Sequence, residues 1–381
     1  MQKNKDIDNI IKKTGSKKSF LILKKLYDDG KITFDEVSTL SGVSVRDLKK
    51  VLELKKPSKT ILVTGGAGFI GSNFILYILK KYPNYEIVNL DKLTYAGNLD
   101  NLKEAEEKFG DRCKFVRGDI CDDNIVNDVM SDIDTVVHFA AESHVDNSIK
   151  DPDIFLKTNV LGTHNLLKYA LKYNIKRFHH VSTDEVFGSL AFDGSKFNEN
   201  TPYNPRSPYS VSKAASDHIV RAYYHTYGLP ITISNCSNNY GRHQFPEKII
   251  PLFILNAIED KSLPIYGDGA SVRDYIFIED HCSGIDVVLH NGKAGETYCM
   301  GGEAEKNSIE IADIVLEALN KPKTLKQFVK DRHGHDRRYA IDNSKIKKEL
   351  GWEPKVSFEE GIKKTISWYV ENKELVKVLK I

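Results

Sequence analysis

The sequence predicts an α/β protein: a parallel, doubly wound sheet, a smaller mixed C-terminal domain and a small all-α appendage at the N-terminus. Three observations predict it. Short apolar runs alternate with helical segments from Thr60 to Asn235, the pattern of a parallel sheet with crossover helices. A glycine-rich turn, Gly65-Gly66-Ala67-Gly68-Phe69-Ile70-Gly71, joins the first of these runs to the first helix. The charge balance also changes near residue 57. Residues 1–56 hold 14 Lys or Arg against 8 Asp or Glu, a net +6, while the whole chain of 381 residues carries +2, which leaves −4 for the remainder.

In the first segment apolar side chains recur at helical spacing, as at Phe20, Leu21, Leu23 and Leu26, until Asp29-Gly30 stops the helix. Two short helices are expected at 33–40 and 45–54. The turn between them contains Gly42, and Ser44 is placed to cap the second helix. Lys55-Lys56-Pro57-Ser58-Lys59 reads as a linker, so a helical domain spans 1–56 and the main unit 58–381. In that unit, strands are expected at 60–64, 86–90, 114–116, 135–139, 177–182 and 231–235, with a helix over 72–81. Beyond about residue 240 the elements become mixed. Residues 58–240 are therefore assigned mainly to the sheet domain and 241–381 mainly to the second, with interleaved boundaries.

Composition excludes several classes. At 40% hydrophobic and 28% charged, the chain has ordinary globular balance, and no run approaches the roughly 18 apolar residues of a membrane span. The N-terminus lacks an apolar signal core, so a cytoplasmic location is expected. The five cysteines, Cys113, Cys121, Cys236, Cys282 and Cys299, form no CxxC pair, so neither a disulfide framework nor a metal site is expected.

Gly65, Gly68 and Gly71 form GxxGxxG between a strand and a helix, the context in which such a turn binds a dinucleotide. Without side chains, the backbone can approach a pyrophosphate, and the helix N-terminus directs free N–H groups and a positive dipole end at it. Asp91 ends the second strand, where a carboxylate accepts from ribose hydroxyls and repels a 2′-phosphate; NAD is favoured over NADP. Asp119 follows the third strand and is placed either to approach the adenine or to cap a turn. Tyr209 and Lys213, four apart on a helix, share one face. An ammonium there is expected to lower the phenol from its usual pKa of about 10 toward a working base.

GxxGxxG with YxxxK resembles the extended short-chain dehydrogenase/reductase superfamily, whose scaffold is an extended Rossmann fold. Thr183-Asp184-Glu185, at the end of the fifth strand, resembles the nucleotide-sugar 4,6-dehydratases, above all those acting on dTDP-glucose. Most sugar epimerases of the superfamily lack this Asp-Glu pair. Further matching segments are Ala140-Ala141-Glu142-Ser143-His144, Asn238-Asn239-Tyr240-Gly241, Ile265-Tyr266-Gly267-Asp268-Gly269, Val272-Arg273-Asp274 and Gly334-His335-Asp336-Arg337-Arg338-Tyr339. The resemblance runs from about Thr60 to about Trp368.

It implies catalytic roles for Thr183, Asp184, Glu185, Tyr209 and Lys213. Oxidation at the sugar C4 would acidify C5–H; Glu185 would then be the base for that proton and Asp184 the acid for the departing C6 hydroxyl, with burial keeping Asp184 protonated. Thr183 would steady the C4 oxygen. For NAD it implies Gly65, Gly68, Phe69, Ile70, Gly71, Asp91, Lys92, Thr94, Asp119, Ile120, Ala140, Ala141, Thr158, Tyr209, Lys213 and Asn239. For the nucleotide sugar it implies Ser143, Thr183, Asn238, Lys248, Pro264, Tyr266, Arg273, Asn307, Arg332 and His335, with Arg273 gripping the diphosphate and Tyr266 stacking on the base. A homodimer is also implied.

The chain departs from the family's pattern at Asn147, Arg242-His243 and His333, which leaves UDP-glucose or another nucleotide hexose open as substrate. Residues 31–54 read as a helix-turn-helix, so a DNA contact through residues 1–56, or a regulator that senses a nucleotide sugar, stands as the alternative of a different class.

Overall fold

The computed structural model describes residues 38–39, 58–331 and 336–373. The chain divides into two compact units, Met1–Ser58 and Lys59–Ile381. The helix-turn-helix reading lies outside the described residues, apart from Ser38 and Thr39, which are helical. Arg332, His333 and His335 also lie outside them.

The main unit is built on seven parallel strands in the order β10-β6-β5-β4-β1-β2-β3. In chain order these are β1 (Lys59–Thr64), β2 (Tyr85–Asp91), β3 (Cys113–Arg117), β4 (Thr135–His138), β5 (Arg177–Thr183), β6 (Ile231–Cys236) and, after the shorter strands β7 (Asn238–Tyr240), β8 (Leu263–Tyr266) and β9 (Val272–Phe277), β10 (Thr297–Met300). β1, β4, β5 and β6 are buried or nearly so on both faces, which is why they read as unbroken apolar runs rather than alternating ones. The order reverses between β1 and β4, and that switch point opens a crevice at the carboxyl ends of the strands.

The helices that matter for the site are α1 (Phe69–Lys81), α2 (Thr163–Lys172) and α3 (Pro208–Tyr227). A helical run of Pro152–Phe155 and a π-helical turn at Leu156–Gly162 lead into α2. Ser207 caps α3, its hydroxyl accepting from Ser210 N, and Pro208 follows at the first helical position, so the start of the tyrosine–lysine helix is written into its own sequence. The smaller part contains β7 and β9 paired in parallel, β9 and β11 (Glu305–Asn307) paired antiparallel, and β8 paired in parallel with β12 (Lys326–Val329).

Two elements differ from expectation. The first helix begins at Phe69, three residues before the expected start, because Gly71 is a helical residue rather than part of the turn. A Cβ there would run into the carbonyl of Gly65. The second difference is β10, which adds a seventh strand beside β6 from the C-terminal part of the chain. Four buried residues are too short a run to distinguish strand from helix by periodicity.

Gly71→Ala is therefore expected to destabilise the main unit by about 1–3 kcal/mol, the usual penalty for overpacking. Denaturant unfolding checks this; an unchanged midpoint would contradict the tight turn.

Candidate active site

The glycine turn is shaped by contacts that exclude a side chain. Gly65 has φ +73°, and a Cβ on it would lie 2.7 Å from the amide nitrogen of Ala140. The turn is fastened from β2. Gly66 N donates to Asn89 Oδ1 at 3.1 Å, and Ala67 N to Asp91 Oδ2 at 2.9 Å. Leu93 N donates to Asp91 Oδ1 at 2.8 Å. Asp91 thus holds the turn as well as ending the strand. Burial pushes its carboxyl up, against the two amide bonds that favour the ionised form. Asp119 makes a 2.8 Å ion pair with Lys92 and accepts from Cys121 N at 2.9 Å, so it caps its turn while facing the same crevice.

One cavity runs along the carboxyl ends of the strands. It gathers every residue expected for NAD: Gly65, Gly68, Phe69, Ile70, Gly71, Asp91, Lys92, Thr94, Asp119, Ile120, Ala140, Ala141, Thr158, Tyr209, Lys213 and Asn239. It also gathers Thr183, Asp184 and Glu185, together with Ser143, Asn238 and Lys248 from the expected sugar-nucleotide set.

The catalytic candidates sit where β5 gives way to a 3-10 turn, Asp184–Phe187. Thr183 caps that turn, its hydroxyl accepting from Glu185 N at 3.2 Å and donating to Asp184 Oδ1 at 3.3 Å. Asp184 is 2% exposed, and its Oδ2 finds no hydrogen-bond partner among the described residues. Burial, then the charges of Glu185 and Asp274, pushes its carboxyl well above the ordinary range; the Arg273 charge and the Thr183 bond oppose this only in part. Asp274 is itself buried and pushed up to about 6 by desolvation.

Tyr209 corrects one expectation. Its phenol is pushed well above 10, first by burial and then by the nearby Glu185 charge, while a bond with Thr183 pulls the other way. The Lys213 ammonium donates to the Val181 carbonyl at 2.9 Å, and burial lowers its own pKa. Helical spacing brings the two residues to one face, but it does not say where each polar tip points. The ammonium is committed to β5, and burial opposes the phenolate.

Four of the expected sugar-nucleotide residues do not line this cavity. Pro264 and Tyr266 lie on β8, where Tyr266 is 42% exposed. Asn307 caps the helix that follows β11, accepting from Glu310 N at 2.9 Å while Glu310 reaches back to Asn307 N. Arg273 donates to the carbonyls of Val272 at 2.8 Å and Asp336 at 2.9 Å, and its guanidinium lies 4.3 Å from the centre of the Tyr339 ring. Its charge still reaches Asp184.

Sequence reasoning gave no role to Tyr339, Glu247 or Tyr95. Tyr339 feels the Glu185 charge from beneath Arg273. Tyr95 OH donates to Oε1 of Glu247, a residue of the cavity wall, at 3.3 Å, and Lys248 Nζ donates to the Ser143 carbonyl at 3.3 Å. The signal for Tyr339 lay in the segment Gly334–Tyr339, where only the polar residues drew attention. Of the departures from the family pattern, Arg242 ties its loop to the sheet domain, donating to Asn73 Oδ1 and Glu104 Oε2 at 2.8 Å each.

The family described as GDP-mannose 4,6 dehydratase matches residues 62–365. The dTDP-glucose 4,6-dehydratase of Xanthomonas campestris is 51% identical over 337 residues, which are 83% of this chain and 95% of that one. This chain belongs to the nucleotide-sugar 4,6-dehydratases. Another member, the dTDP-glucose 4,6-dehydratase of Salmonella typhimurium, is 48% identical over 84% of this chain and 95% of its own. Among solved structures, the Streptomyces venezuelae dTDP-glucose 4,6-dehydratase with NAD bound superposes with a TM-score of 0.82 at 47% identity, over 84% of this chain and 100% of that one. The UDP-glucose 4-epimerase of Thermotoga maritima superposes at 0.77 but is 28% identical, over 82% and 99%. The fold is thus shared with an epimerase at much lower sequence identity.

A buried carboxyl with a raised folded pKa opposes folding as pH rises. Above the unfolded value of about 3.9 the unfolded chain releases its proton while the folded protein keeps it, so stability falls. Asp184→Asn removes this conflict and keeps an acceptor for Thr183. It is expected to be more stable than the parent protein at pH 7, with the gain fading as pH falls through about 4. Thermal unfolding against pH checks this; a gain that grew toward low pH would have the wrong sign.

Proposed function

We propose that this protein catalyses NAD-dependent 4,6-dehydration of dTDP-glucose, giving dTDP-4-keto-6-deoxyglucose and water. The observation that carries the reading is the pair at the end of β5: a buried carboxyl whose ionisation burial opposes, Asp184, beside the more accessible Glu185, both in one cavity with Tyr209, Lys213 and the glycine turn. Relatives at 48–51% identity with that substrate in their names support it.

The chain's residues fit the cofactor. The glycine turn leaves room that a Cβ would fill, α1 directs its N-terminus there, and Asp91 faces the same crevice. When bound, NAD supplies the acceptor that takes hydride from C4 and returns it to C6, together with a positive ring charge. Everything else is done by side chains. Tyr209 takes the C4 hydroxyl proton, a role that requires positive charge in the cavity, from Lys213 and from the cofactor when bound, to offset the burial that raises its phenol. Thr183 hydrogen-bonds the C4 oxygen. Glu185 removes the C5 proton once C4 is a ketone, Asp184 in its protonated form gives its proton to the leaving C6 hydroxyl, and a proton from solvent is delivered to C5 as the hydride reaches C6. An epimerase would leave this carboxyl pair without work.

For the nucleotide sugar we assign Ser143, Asn238 and Lys248 on the cavity wall, with Pro264, Tyr266, Arg273 and Asn307 beyond it and Arg332 and His335 outside the described residues. Arg273 would exchange its carbonyl partners for phosphate oxygens, a trade that suits a planar fork of donors. We also assign a homodimer. On the run leading into α2 and on α3, which packs against it, Leu156 is 46% exposed, Leu161 61% and Val211 45%. A second copy would cover them. No helix among the described residues is long and apolar enough to cross a membrane, and all five cysteines are free, which suits the cytoplasm.

Incubation with NAD and dTDP-glucose, UDP-glucose or GDP-mannose in parallel, scored by the absorbance of the 4-keto product in alkali, is expected to favour dTDP-glucose. Glu185→Gln and Asp184→Asn should each lower kcat by about 10²- to 10⁴-fold, the range for losing a positioned acid or base. Unimpaired turnover by both variants would remove the proposed roles. No product from any sugar would remove the proposed function.

A further inference from the structure

Beneath the cavity lies a polar layer that the steps above do not use. Asp217 sits on α3 one helical turn after Lys213, so the two share a face. It is 0% exposed. Its Oδ2 accepts from Ser182 Oγ at 2.9 Å and from the Tyr203 hydroxyl at 2.8 Å, and its Oδ1 lies 3.2 Å from His180 Nε2. Asn235 donates to the Thr183 carbonyl at 3.0 Å and approaches Asp217 Oδ2 at 3.4 Å. One carboxylate thus joins α3 to β5, to β6 and to the loop before α3. A buried carboxylate survives only if it is paired or well hydrogen-bonded.

The titratable groups around it leave one assignment of charge. Burial and the Lys213 charge push His180 down to about 4, so it is neutral and has one N–H to offer. His138, on β4, is likewise held neutral by burial. Burial pushes Cys236, on β6, up to about 12 and Tyr203 higher still. Arg221, one turn further along α3, donates to the Tyr203 hydroxyl at 2.8 Å and to Thr297 Oγ1 at 3.1 Å. Burial opposes ionisation of Asp217, but the His180 contact and the Lys213 and Arg221 charges outweigh it. The layer therefore favours a carboxylate at Asp217, with Lys213 and Arg221 one helical turn to either side of it. Lys213 has its ammonium bound to a neutral carbonyl, and desolvation draws its pKa down.

We propose that Asp217 is a positioning residue that keeps the Lys213 ammonium charged and fixes the Ser182–Thr183 end of β5 against α3. The inference rests on the reading that Lys213 serves the reaction. Its effect on Lys213, however, belongs to the protein itself and can be measured without turnover.

The test uses the full chain labelled with ¹⁵N-lysine, with the Lys213 side-chain resonance assigned by its loss in Lys213→Met. In the parent protein Lys213 is expected to be cationic at pH 7. In Asp217→Asn its titration midpoint should fall by roughly one to three units, the effect of removing a nearby opposite charge. Tyr203→Phe removes one hydrogen bond and keeps the charge, so it should leave the midpoint in place. In turnover assays the alkaline limb of kcat should move to lower pH in Asp217→Asn and not in Tyr203→Phe. An unmoved Lys213 midpoint in Asp217→Asn overturns the proposal, whatever the turnover. If that variant does not fold, a Lys213 already neutral at pH 7 in the parent protein overturns it. Failure of the parent protein to turn over dTDP-glucose would count against the proposed reaction, while the lysine titration would still decide the role of Asp217.

Discussion

Burial of Asp184 at the carboxyl end of β5 is the constraint on which the rest of the site depends. Two adjacent carboxyls in water would both be ionised at neutral pH, and neither could donate a proton. Here desolvation, with Glu185 and Asp274 nearby, opposes ionisation of Asp184, while Glu185 beside it is less deeply buried. One dipeptide thereby holds a carboxyl that resists ionisation and a more accessible carboxyl partner. The separation arises from where the strand ends: Thr183 terminates β5, caps the 3-10 turn and bonds Asp184 in the same few atoms.

That end of β5 is held from several sides. Asn235 on β6 binds the Thr183 carbonyl, and Lys213 on α3 binds the Val181 carbonyl. Asp217 binds Ser182 between them. Across the switch point, Asn89 and Asp91 on β2 fasten the glycine turn through its backbone amides. The dinucleotide crevice and the carboxyl pair are therefore positioned by one parallel sheet, whose register leaves little freedom between them. A preorganised site of this kind needs little rearrangement when charge develops.

Much of this was legible in the sequence, for identifiable reasons. The apolar runs read as strands because a doubly covered parallel sheet buries both faces of each strand. The glycine turn read correctly because its neighbours supplied the strand and helix that give it meaning. Gly71 misled, since glycine looks like the end of a turn, yet here it lies inside the helix to admit the Gly65 carbonyl. β10 was invisible because its partner β6 lies some sixty residues earlier in the chain and its run is short. Spacing put Tyr209 and Lys213 together but could not reveal that the ammonium would prefer a strand carbonyl. The same limit hid the commitments of Arg273 and Asn307, whose present bonds are to carbonyls and a helix end. Residue type announces a capacity to bind phosphate or sugar, and tertiary context decides how it is used.

The most direct measurement of the central claim follows a deuterium atom placed at C4 of dTDP-glucose. The account predicts a 4-keto-6-deoxy product carrying that deuterium at C6, with hydrogen from solvent at C5, read by mass spectrometry and NMR. Deuterium still at C4 of a sugar that had lost no water would contradict it.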